Sequence, residues 1–392
     1  MINTDFLYEG IIPSSEFLKI TKTYVRLRIY NDGISIDSRY IKKVLENVKT
    51  IIMLEDRSIK IELHFYGKTF GDEAVVMYME LIILSLFLKD YNNIYLWVHD
   101  LDVTIAEYPL YYNSRLNRYI KQSHEIIGDY YLRDYTDAYV NAQNNYCIKN
   151  YFDNALLLIA ENNGDHLIQS FSSSLIMEYL NKIKNLGPSF KKKILKVISE
   201  IIDNSLSHTK SDCIVSIKNY EVVDQQSVRK FMISVAIANF SEKYLFTDIK
   251  DKIVTNSLNC ASSDIVYKAY ENNKINFNEN FDFEFFCMIS AFQKSVTTRL
   301  NAKNNSGRGL TTFLNYLIRF SELDCCYVYS SNKLLWFNKK YLNVVDGLVG
   351  FNDKNDYINE LPNSDNYRIM PYNNNGTLFN LKLIYDWSDL IE

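Results

Sequence analysis

The chain has 392 residues, 47% of them apolar, and a formal net charge of -4. That length is enough for a sizeable core and favours two domains over one. The acidic balance excludes a protein whose main business is coating nucleic acid, though not a local basic patch.

Residues 23–30, TYVRLRIY, alternate as a strand does, and residues 38–54 carry a helical pattern. Residues 59–66, IKIELHFY, alternate again and stop at Gly67; a long apolar helix over 72–89 and a strand over 93–98 follow. This strand–helix–strand order predicts a small α/β domain within residues 1–120. It holds no phosphate loop, nucleophile elbow or metal-ligand spacing. The greasiest stretch, residues 74–88, is too short to span a bilayer comfortably and is interrupted by Glu80, so it reads as a buried helix. The first residues, MINTDFLYEG, lack the basic and apolar regions of a signal peptide. A soluble cytoplasmic protein without a membrane partner is expected.

Residues 121–165 are polar and aromatic and read as a helical connector. Beyond them the pattern sharpens. Leu175, Met177, Tyr179 and Leu180 mark a helix that ends at Gly187-Pro188, and a second helix runs over 189–207. Strands are expected at 213–218 and 230–238, then a long irregular stretch into the 280s. A helix over 283–292, another from about Leu310, and strands at 325–330, 334–337 and 377–384 complete the pattern. The six cysteines, Cys147, Cys213, Cys260, Cys287, Cys325 and Cys326, form no C-x-x-C pair, so they read as reduced thiols packed like small apolar groups.

The helix over 189–207 carries the chemistry. With about 100° per residue, Glu200, Asn204 and His208 fall within about 80° of one another. They flank the apolar arc of Val197, Ile198, Ile201, Ile202 and Leu206. A carboxylate and an amide at that border are half-buried and half-solvated, where a Glu can act as a base and an Asn oxygen can reach a metal. Further on, Asn305-Ser-Gly-Arg-Gly-Leu310 precedes an apolar helical run. Its glycines, Gly307 and Gly309, allow backbone to approach a phosphate, a helix N-terminus offers free N–H groups, and Arg308 adds a charge-assisted contact.

VISEIIDNSLSHTKSDCIVSI resembles the E-x-x-x-N box of the GHKL ATPases, the superfamily of gyrase, chaperone, histidine-kinase and MutL proteins. Asn305–Leu310 resembles that family's second glycine box. The preceding AFQKSVTTRLNAKNNSGRG is similar to the lid of bacterial members, with Lys294, Arg299 and Lys303 as cations that screen phosphate. Asn375-Gly-Thr-Leu-Phe resembles the family's G-T-x-F strand. The resemblance covers about residues 170–392 and implies a fold class of α+β. A C-terminal Bergerat-type α/β sandwich over 166–392, a mixed sheet with helices on one face, would follow the smaller N-terminal α/β domain.

The resemblance also implies ATP and Mg2+ as ligands. Asn204 would bind the magnesium, Glu200 would polarise the attacking water, and His208 would lie near the phosphates. Gly307, Arg308, Gly309 and Leu310 would cradle them, and Thr377 would help hold the adenine. Two departures stand out. Thr311 replaces a further glycine. Asn239, in SVAIANFSEKY, replaces the Asp that accepts from the adenine amine, with Ser241 in place of the glycine after it. Asn offers a donor as well as an acceptor, which leaves adenine and guanine both open.

Three functions are expected to compete. The first is a slow Mg-dependent ATPase whose nucleotide cycle drives a conformational or dimerisation switch, with a protein partner or a second copy. The second is a nucleotide-sensing interaction module without turnover. The third is a protein kinase, for which His124 in QSHEIIGDYY is the candidate phosphoacceptor.

Overall fold

A computed structural model describes residues 4–30, 35–36, 38–66, 69–70, 72–99, 126, 128, 147–151, 154–159, 174, 176–183, 186–209, 213–223, 228–296, 309–320, 326–386 and 390. In chain order the elements are β1 (Leu18–Ile20), β2 (Tyr24–Ile29), β3 (Ser35–Ile36), α1 (Ser38–Ile52), β4 (Lys60–Tyr66), β5 (Thr69–Phe70), α2 (Glu73–Leu88), β6 (Ile94–His99), β7 (Cys147–Tyr151) and β8 (Asn154–Ile159). There follow α3 (Pro188–Thr209), β9 (Cys213–Val223), β10 (Arg229–Asn239), α4 (Thr247–Val254), α5 (Ser263–Asn273), α6 (Phe283–Ser290), α7 (Gly309–Phe320), β11 (Tyr327–Trp336) and β12 (Tyr367–Asp386). The class is mixed α and β, with a mixed sheet and further antiparallel strand pairs.

The chain divides into two units. The first comprises Met1–Asn163 with Ile214–Arg229 and Ser234–Ala236, and the second the remainder. In the first, one sheet has the order β1-β2-β4-β6. β1 and β2 are antiparallel; β2, β4 and β6 are parallel, with Leu27 beside Leu63 and Leu63 beside Leu96. Both parallel crossovers step the same way across the sheet, so right-handed connection places α1 and α2 over the same face. That face is Val25, Leu27, Ile29, Ile61, Leu63, Phe65, Ile94 and Leu96, all fully buried. The alternate residues form a polar and aromatic face. Glu62 binds Arg26 at 2.5 Å and Lys60 at 2.7 Å. His64 lies 2.9 Å from His99 and stacks flat on Trp97.

α2 starts at Asp72, whose carboxylate accepts from the Val75 N–H, and is buried over nearly its whole length. Its buried Glu73 accepts a 2.5 Å hydrogen bond from the Ser216 hydroxyl. The buried-helix expectation holds, and no helix among the described residues is long and apolar enough to cross a membrane.

β7 and β8 form an antiparallel hairpin, Cys147 opposite Leu158. This corrects the helical reading of the connector. ALLLI is an unbroken aliphatic run, which suits a strand paired on both edges, as β8 is by β7 and β9, at least as well as a helix.

In the second unit β12 lies between β11 and β10. β11 was expected as two strands. It is one strand, bent at Ser331 (φ 56°), where the pairing with β12 shifts register. The stretch expected to be irregular up to the 280s contains α4 and α5, another correction. α4 anchors itself through Ile249 and Ile253 and α5 through Val266 and Ala269, so their apolar stripes are only two residues deep. Phe292, Phe313, Phe337, Phe351 and Phe379 meet mainly edge to face in the core. Lys333 is buried with Asp282 at 2.9 Å and Glu284 at 3.0 Å, and Glu284 also binds Lys250 at 2.7 Å. Cys213, Cys287 and Cys326 are buried thiols and Cys260 a half-buried one, none of the four in a disulfide.

Candidate functional site

α3 opens with Pro188, whose missing N–H costs nothing at a first helical turn. The Gly187 carbonyl takes the Lys191 N–H. The helix buries Phe190, Ile194, Val197, Ile198, Ile201 and Ile202. Glu200 and Asn204 are both half-buried at the edge of that stripe, as the helical spacing predicts. His208 falls in the last turn of α3, and its side chain is outside the described part. α3 packs against α7, and α7 against β12.

Gly309 and Leu310 open α7, with Leu310 half-buried. Gly307, Arg308, Arg299, Lys303 and His124 lie outside the described residues. Lys294 is exposed, and its stem lies over Gly347. Thr311, the residue in place of a glycine, is buried and donates its hydroxyl to the Phe292 carbonyl at 3.1 Å. It ties the first turn of α7 to the segment after α6, a tie that glycine could not make.

At the end of β10, Asn239 is 1% exposed. Its Oδ1 accepts the backbone N–H of Thr377, from β12, at 2.9 Å. A backbone N–H can only donate, so this contact fixes which end of the amide is oxygen. The approach is close because the neighbour is glycine: Gly376 has φ +99°, and a Cβ there would stand 2.0 Å from the Asn239 carbonyl oxygen and 2.7 Å from Oδ1. Ser241, two residues on, accepts the Lys243 N–H and shapes the turn leaving β10.

Thr377 is buried, and its hydroxyl lies 2.8 Å from the hydroxyl of Ser330, its register partner on β11. Ser330 Oγ also accepts the Leu245 N–H at 3.0 Å. Ser330 and Leu245 were not anticipated as site residues. The sequence signal for Ser330 is its place at the end of an expected strand, which becomes informative only once β11 is paired with β12. Asn239 Oδ1, Thr377 and Ser330 thus form one chain of hydrogen bonds.

Of the residues singled out by sequence, the fold brings Asn239 and Thr377 into contact and sets the helix of Glu200 and Asn204 against the helix of Gly309 and Leu310. Among the described residues, no group of three or more His, Cys, Asp or Glu side chains could hold a metal. Comparison with protein-family models, with curated proteins and with solved structures returns no match.

Proposed function

We propose that the second unit binds a magnesium–nucleoside triphosphate at a GHKL-type site and uses it as a conformational switch, with slow hydrolysis. ATP is the ligand that the sequence resemblance implies. The observation that carries the reading is the Asn239–Thr377 hydrogen bond. The resemblance ties the two residues to one base from separate motifs, and they meet across 138 residues of chain. Pairing of that kind does not follow from either motif alone.

Asn204 would reach the metal from its half-buried place on α3. One amide is a sufficient protein share, because magnesium keeps several waters and takes its other ligands from phosphate. The bound nucleotide supplies the phosphoanhydride bond. Glu200, one helical turn before Asn204, would orient and deprotonate the water. The open end of α7 would present its first N–H groups to phosphate.

The test is turnover with magnesium and each of ATP and GTP, on the full chain and on Glu200→Ala. A slow rate that Glu200→Ala abolishes while nucleotide still binds supports the reading. A rate unchanged by Glu200→Ala removes Glu200 as the base. Binding with no turnover in either protein leaves a nucleotide sensor, a reading that the pinned Thr311 at the start of α7 favours.

A further inference from the structure

Asn239 has one acceptor and one donor end, and the fold has already used the acceptor. Oδ1 faces the Thr377 N–H at 2.9 Å and abuts Gly376. The amide therefore cannot flip without opposing two donors. What remains is Nδ2 with two hydrogens, on a residue only 1% exposed. A ligand acceptor brought to Nδ2 would be met by a hydrogen bond, whereas a ligand donor there would set two donors against each other.

We infer that Asn239 selects a base with a carbonyl at the purine 6-position, so that the site prefers guanine- and hypoxanthine-type nucleotides to adenine. This rests on the nucleotide reading of the site. The guanine edge presents O6 and N7 as adjacent acceptors; the adenine edge presents an amine beside N7. In the same pose, the adenine amine meets Nδ2 donor to donor, and one of the two is left unpaired. An aspartate at position 239 would reverse the selection: one carboxylate oxygen would still take the Thr377 N–H, and the other would accept from an amine. The Thr377–Ser330 hydroxyl pair is already satisfied within the fold and does not discriminate between the two edges.

The experiment compares dissociation constants of ATP, GTP and inosine triphosphate, with magnesium, for the full chain and for Asn239→Asp. Inosine triphosphate carries the 6-carbonyl without the 2-amine of guanine, so it isolates the group that Asn239 reads. The expected result is binding of GTP and inosine triphosphate roughly ten- to a hundredfold tighter than ATP, the scale set by one unpaired buried polar group. Asn239→Asp should reverse the order while keeping a normal melting temperature. ATP bound as tightly as inosine triphosphate by the full chain overturns the inference and leaves the nucleotide reading standing. So does an order that Asn239→Asp leaves unchanged. Binding of none of the three overturns the nucleotide reading, and the inference with it.

Discussion

Thr377 donates its backbone N–H to the side-chain oxygen of Asn239. The bond joins the end of β10 to the middle of β12, and it is buried at both ends. Asn239→Ala strands the Thr377 N–H and should cost about 1–3 kcal/mol in urea unfolding. Asn239→Asp keeps an acceptor at the same place and should cost much less.

Gly376 stands in a conformation that side chains rarely adopt, against the Asn239 backbone. Gly376→Ala should destabilise by at least about 2 kcal/mol, since backbone strain and a steric clash add. A melting temperature within a degree of the parent would show that β12 can move away from β10 at little cost.

Asn204 is half-buried on α3 and outside the apolar stripe. Asn204→Ala should therefore leave the thermal transition of the free protein nearly unchanged. It should remove the extra stabilisation that magnesium adds to bound nucleotide, read as the difference between melting curves with magnesium and with chelator.

Glu284 gives stability a dependence on acid. Burial pushes its carboxyl pKa up, but hydrogen bonds from Lys250 and Lys333 outweigh burial and hold it below the ordinary value. A depressed carboxylate stabilises the fold above its unfolded pKa, about 4.3, and that stability is lost as pH falls through the lower folded value. Glu284→Gln should flatten this part of the acid profile. The double change Asp282→Asn with Glu284→Gln strands Lys333 in the core and should cost about 3–5 kcal/mol at pH 7.

His64 acts in a different window. Burial lowers its pKa from 6.5 to about 4, helped by repulsion from His99, Arg26 and Arg28 against a smaller attraction from Glu62. The unfolded chain then takes up the proton first, so stability is full above pH 6.5 and is lost as pH falls towards 4. His64→Gln should remove that slope. Urea midpoints measured between pH 7 and 4, with equal slopes in the two proteins, would contradict the assignment.

Much of the fold was legible because local pattern and burial agree. The alternation of Val25, Leu27 and Ile29, and of Ile61, Leu63 and Phe65, marked both strands, since each has one face under helices. Glu200 and Asn204 were placed correctly because a single helical wheel decides their exposure. α4 and α5 were missed because two apolar contacts apiece do not raise a helical period above the surrounding polar residues. The bent β11 was missed because Ser330, Ser331, Asn332 and Lys333 look like a break, whereas Lys333 is buried beside carboxylates supplied from elsewhere in the chain. The Asn239–Thr377 pair was legible only through two separate segments that each resemble a motif of the same family. Nothing near either residue encodes the other, and Ser330 carried no motif at all.

The span between Asn239 and Thr377 has a consequence for how the chain is made. A ribosome adds roughly 5–20 residues per second, so β10 emerges about 7–30 s before its partner. During that interval α3, with Glu200 and Asn204, is already synthesised, but the amide of Asn239 has nothing to accept from. A nascent chain stalled before Gly376 would thus contain α3 and β10 without the β12 contact that pins the Asn239 amide. Under the proposed nucleotide role, capture would be a late event in biogenesis and a sensitive marker of a chain completed through β12.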